Sequence, residues 1–220
     1  SADPGGALDP VADAWGELCA SAGAAAAWAE RLGAEVRQIW GAGGDARASR
    51  AALGALLAAG RPREVLALLE LRPVGLWPER RFGVLALAAL GEVDAALAYA
   101  RASNPLGHPY EQAIAQTCEA VLLAAGRREE AYREHAFAAN DRQNCLLTFR
   151  ALAVRYPEVA PAELLAELIA ASPGAEGRWF ATARSLRLYE VALEIARRSP
   201  CDPRTLNRAA EERLAEDPRF

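Results

Sequence analysis

The chain has 220 residues, a formal net charge of −4 and no lysine, so all 25 of its basic residues are arginine. That length suffices for one large domain or a short repeat array, and the slight acidity argues against nucleic-acid binding by bulk electrostatics, which needs a basic surface. Val, Ile and Thr together supply only 18 residues while alanine fills about a quarter of the chain, a composition that excludes a sheet-based fold and predicts an all-α one.

Residues 1–8 read as a flexible N-terminal segment. Asp9-Pro10 opens the first helix with a carboxylate N-cap and a proline at the first helical position. Helices over 10–21 and 24–40 form an N-terminal pair within 9–45, with Trp15, Leu18, Trp28, Leu32, Val36, Ile39 and Trp40 at core spacings. Three hairpins follow over 46–140, with helices at 47–59 and 62–71, at 78–90 and 92–103, and at 109–125 and 128–139. In the third, Ile114, Cys118, Val121, Leu122 and Ala125 share one face. Residues 141–200 hold irregular helices and a last hairpin. Asn140 is placed to cap a helix over 141–155, a helix over 161–171 is broken by Ser172-Pro-Gly174, and the hairpin takes 175–185 and 188–199. Asp202-Pro203 then opens a polar helix within 201–220 that suits the cap of a repeat stack.

The hairpins share one turn. Gly60, Gly91 and Gly126 each end an apolar helix, and five residues on stand Val65, Ala96 and Ala131. Arg187 takes the glycine's place in the last hairpin, followed by Ala192. The glycines lie 31 and 35 residues apart, close to a repeat of about 34. Four residues beyond each small residue come Leu69, Ala100, His135 and Ala196, and three further Arg72, Ser103, Ala138 and Ser199. This pattern resembles tetratricopeptide repeats over roughly 47–140 and 175–200, although the family's first-helix Trp, Leu-Gly and Tyr positions are not reproduced. The resemblance implies a right-handed α-α solenoid of helical hairpins, about 10–12 helices in a single repeat domain over 9–220. Gly126-Arg-Arg-Glu-Glu-Ala-Tyr, Arg178-Trp-Phe-Ala-Thr-Ala and Arg198-Ser-Pro-Cys-Asp-Pro-Arg-Thr-Leu also look like a group of bacterial helical proteins of unknown function.

No motif for catalysis, cofactor or metal stands out. Gly41-Ala-Gly-Gly-Asp lacks the lysine of a phosphate loop and reads as an interhelical connection. His108 falls in a loop and His135 on an inner helix face, with no second ligand one helical turn away. Cys19, Cys118, Cys145 and Cys201 are widely spaced and read as free thiols of a reducing compartment. Cys201 precedes a helix N-terminus, where a thiolate is stabilised, and is the reactive-thiol candidate. The opening residues do not read as a signal peptide and no apolar run reaches membrane-spanning length, so cytoplasm is the expected compartment. The absence of lysine reads as codon bias, with avoidance of lysine modification as the sharper alternative.

In the register that the resemblance implies, first-helix residues line a concave groove, and one repeated position falls on Arg50, Arg81 and Gln116. With Arg80 and Trp77, the latter expected to be exposed beside Pro78, these are the candidate partner-binding residues. The expected function is a non-catalytic scaffold that binds a protein or peptide. A helical-repeat nucleic-acid binder and a thiol- or histidine-dependent enzyme or redox sensor are the alternatives, the first distinguished by whether arginines gather on one concave face.

Overall fold

The computed structural model describes residues 9–103 and 110–216, with side chains over 11–103 and 110–212. The expectations for residues 1–8, Asn104-Pro105, His108 and Asp217-Pro218 lie outside the described residues. The fold is all-α: among the described residues there are fourteen α-helices, one 3₁₀ turn and no strand. By internal packing the chain divides into two compact units, Ser1–His135 and Ala136–Phe220.

The first unit holds α1 (Asp9–Asp13), α2 (Trp15–Leu18), α3 (Ala22–Gly41), α4 (Ser49–Ala58), α5 (Pro62–Glu70), α6 (Trp77–Ala89), α7 (Val93–Ala102) and α8 (Glu111–Ala124), and the start of α9 (Arg128–Ala139). Successive helices pack in chain order, α3 on α4, α4 on α5, α5 on α6, α6 on α7 and α7 on α8. The first helices of the hairpins also touch one another, α2 on α4, α4 on α6 and α6 on α8.

One turn builds the three hairpins that follow the N-terminal pair. The first helix of each ends in a residue at positive φ, Gly60 at 71°, Gly91 at 80° and Gly126 at 76°, a region that glycine enters without a Cβ penalty. The N–H of Gly60 bonds to the carbonyl of Leu57 and that of Arg61 to Leu56, the Schellman arrangement that satisfies the last carbonyls of a helix. Gly91 and Glu92 repeat it on Ala88 and Leu87, as do Gly126 and Arg127 on Leu123 and Leu122. The residue after the glycine then starts the next helix, its carbonyl accepting from Val65, Ala96 or Ala131. Those three small side chains are fully buried. A larger residue there would drive the two helices apart.

The core follows the repeats. Val36, Trp40, Leu53, Leu56, Val65, Leu68 and Phe82 form one cluster, and Trp77, Val84, Leu97, Cys118, Val121 and Leu122 form the next. At two places glycine lets elements meet directly. A Cβ on Gly16 would stand 2.4 Å from the carbonyl oxygen of Gly54, and one on Gly83 would meet the Tyr99 ring at 2.6 Å. The helix expected over 10–21 is accordingly broken at Ala14, where α2 restarts and lays Gly16 against α4.

The second unit holds the rest of α9, α10 (Cys145–Arg155), α11 (Pro161–Ala170), a 3₁₀ turn (Glu176–Trp179), α12 (Phe180–Ser185), α13 (Tyr189–Arg198) and α14 (Pro203–Glu216). Phe149, Leu152, Tyr156, Leu164, Leu165, Leu168, Trp179 and Ile195 are buried in it. Asn144, not Asn140, caps α10, accepting from the N–H of Leu147, while Asn140 is buried and donates to the carbonyl of Ala136. Arg187 does take the glycine's place: among the described residues it is the one non-glycine in the left-handed region, at φ 59°, and it and Leu188 bond back to Arg184 and Ala183. Asp202 opens α14 as expected, accepting from the N–H and hydroxyl of Thr205. That interaction holds its carboxyl below the usual range.

Candidate functional site

A cleft of about 750 Å³ opens in the first unit, and its walls are the first helices of successive hairpins. From one end to the other it takes residues from α1 and α2 (Asp13, Gly16, Glu17), α4 (Gly54, Leu57, Ala58), α6 (Trp77, Arg81, Leu85) and the start and face of α8 (Tyr110, Gln116, Ala120). Equivalent steps of the repeat recur along it. Gly54, Leu85 and Ala120 are 31 and 35 residues apart, as the turn glycines are, and Arg81 and Gln116 keep the second spacing. The surface is mostly apolar with a few polar groups, the composition of a recognition site.

Of the five residues expected to meet a partner, Trp77, Arg81 and Gln116 come together in this cleft. Trp77 is not exposed as expected: α6 begins at Trp77 with Pro78 in its first turn, and the indole tucks onto the core, 3% accessible. Arg80 turns away, its guanidinium donating to the Tyr99 hydroxyl at 2.6 Å and to the carbonyls of Arg72 and Pro73. This buried arginine ties the connection before α6 to the following hairpin and is structural. Arg50 is bound to Asp13 at 3.2 Å, bridging α4 to α1 beside the cleft.

Arg81 differs from both. Its guanidinium carbon lies 5.1 Å from the Phe82 ring centre, and its Nε is buried with no hydrogen-bond partner. Among the described residues no carboxylate pairs with it. Nε is too enclosed for an incoming acceptor to reach, so the charge left for a partner to meet is presented by the Nη groups.

The thiols and histidine present different chemistry. Cys201 was expected to be reactive, but burial pushes its pKa up and its Sγ–H points to the carbonyl of Ser199, the reverse of what a thiolate requires. Burial pushes Cys118 up to about 11. Cys145, the first residue of α10, receives a hydrogen bond from Arg178 Nε at 3.0 Å. His135 is half-buried, its Nε2 has no partner, and burial lowers its pKa. Among the described residues no three His, Cys, Asp or Glu side chains gather as metal ligands, and no helix is long and apolar enough to cross a membrane.

Sequence reading missed Asp13, Glu17 and the glycine contact of α2 with α4. The signal for the rest was present: carrying the spacing of the turn glycines back from Ala120 through Leu85 marks Gly54 as a lining position. Comparison of the chain with protein-family models, with characterised proteins and with solved structures returns no match.

Proposed function

We propose that the first unit is a short right-handed solenoid of tetratricopeptide-like hairpins and that the protein is a cytoplasmic, non-catalytic scaffold binding a protein or peptide partner in the cleft between them. The observation that carries this reading is the cleft's construction, in which positions one repeat apart, Gly54, Leu85 and Ala120, recur along a mostly apolar lining. A curved wall of repeated positions presents a long contact surface and needs no embedded chemistry. Two of the three arginines expected in or beside the groove are already committed, which favours a protein over a nucleic-acid partner. Arg50 is held by Asp13, Arg80 faces backbone carbonyls, and Asp13 and Glu17 stand at one end of the same cleft.

The test is affinity capture from native lysate with the tagged full chain and with Ala120→Trp. Ala120 is an exposed cleft residue, so an indole there fills the cleft without entering the core. The reading expects a partner retained by the wild type and lost by the variant at unchanged thermal stability. A partner held equally by both places the binding face elsewhere.

A further inference from the structure

Resting on that reading, we propose that the occupant of the cleft is a mostly apolar segment of another protein, carrying one internal Asp or Glu whose carboxylate is bound by Arg81. Two observations carry this. The first is the state of Arg81. Of the arginines at or beside the cleft, Arg50 already holds Asp13, and Arg80 is committed to Tyr99 and two carbonyls. Arg81 stands on the Phe82 ring with Nε unmet. Nε itself is closed off from the cleft, so an acceptor reaches the guanidinium through its two Nη groups, which a carboxylate meets end-on with two parallel hydrogen bonds. Neutral acceptors satisfy one of these donors; a carboxylate satisfies both and neutralises the charge.

The second observation is position. Arg81 is on α6, with lining residues of α8 on one side and of α4 and α2 on the other. A chain terminus anchored at such a midpoint leaves half the apolar wall uncovered, whereas an internal side chain lets the segment run both ways. Glu17, at the α2 end, repels a second acid and favours a basic residue there, which sets the direction of charge along the segment.

The experiment is selection of random dodecapeptides, displayed with their carboxyl ends joined to the coat protein, on the full chain, on Arg81→Gln and on Ala120→Trp. Enriched peptides on the wild type are expected to hold apolar residues on both sides of one Asp or Glu. Synthesised with amidated ends, they should bind Arg81→Gln about ten- to a hundredfold more weakly and Arg81→Lys at an intermediate level, with unchanged melting temperatures. Replacing the acid by its amide should cost the wild type as much and the Arg81→Gln variant nothing. Apolar peptides without an acid, lost on Ala120→Trp but indifferent to Arg81→Gln, overturn the Arg81 assignment and leave the cleft reading standing. Markedly tighter binding, insensitive to the internal acid, when the peptides are resynthesised with a free carboxyl end, or self-association of the protein abolished by Ala120→Trp, overturns the assignment in favour of a chain terminus or a second copy. Absence of enrichment, or peptides indifferent to Ala120→Trp, overturns both readings.

Discussion

Arg127 repeats the hydrogen bonds of Arg61. Each follows a turn glycine and grips the glutamate three residues on, Glu64 or Glu130, with Nε and Nη2, while Nη1 reaches back to an acid on an earlier second helix, Glu30 or Asp94. The arginine thus closes its own turn and links neighbouring hairpins. Glu92 holds the equivalent place in the middle turn, so the clamp is absent there.

The hydrogen bond from Arg61 holds the Glu64 carboxyl below its ordinary value of 4.5. A depressed folded-state pKa contributes stability that is present above the ordinary value and lost as pH falls through the depressed one. Arg61→Gln is therefore expected to lower the urea midpoint at pH 7 and to flatten the decline below pH 4.5. Both side chains are still reached by solvent, so high salt should shrink the difference. Equal acid limbs for variant and wild type would contradict the clamp.

His135 gives a second pH response with its own window. Burial lowers its pKa from 6.5, against opposing fields from Glu134, Glu130 and Glu119. Between 6.5 and the lowered value the unfolded chain binds more protons, so stability must fall as pH drops through that window. His135→Leu, which places an apolar side chain where the first hairpin has Leu69, should remove this slope. Urea midpoints at pH 8 and pH 5.5 measure it, and an unchanged slope in the variant contradicts the assignment.

Arg187 carries a conformational cost that its glycine counterparts avoid. It is exposed and sits at φ 59°. Arg187→Gly is expected to stabilise the second unit by about 0.5–1 kcal/mol, the relief of the left-handed conformation less the added freedom of the unfolded chain. The converse change, Gly126→Ala, should cost about 1 kcal/mol. Denaturant titration of both variants checks the pair, and a destabilising Arg187→Gly would show that the side chain does more than fill a turn.

Two glycines predict opposite responses to one methyl group. A Cβ on Gly177 would lie 1.9 Å from the Pro200 carbonyl oxygen, whereas one on Gly33, inside α3, meets nothing within 4 Å. Gly177→Ala should cost about 1–3 kcal/mol through displaced backbone. Gly33→Ala should gain about 0.5–1 kcal/mol from helix propensity. Equal effects on thermal midpoints would contradict these packing distances.

The hairpins were legible because their turns are enforced locally. A residue at positive φ followed five positions later by a small buried one is a demand of the Schellman turn and of close helix packing, and Arg187 could be read by position even without glycine. The cleft was legible through the same spacing, which carried Arg81 and Gln116 to one wall. What was hidden depends on partners distant in sequence. Pro78 marks where α6 starts, but nothing near Trp77 tells that the indole turns inward. The choice between adjacent arginines was equally hidden, since Arg80 is claimed by Tyr99 and by carbonyls of a connection while Arg81 is claimed by none. Asn140 and Asn144 are both competent caps, and only the bond of Asn140 to Ala136 leaves the role to Asn144.

The measurement closest to the central claim is site-specific photo-crosslinking of the captured partner from Ala58, Ala120 and Ala98. All three are exposed; the first two line the cleft, and Ala98 lies on α7, a second helix. Cross-links from Ala58 and Ala120 and none from Ala98 are the predicted result. A cross-link from Ala98 with none from the cleft positions would contradict the account.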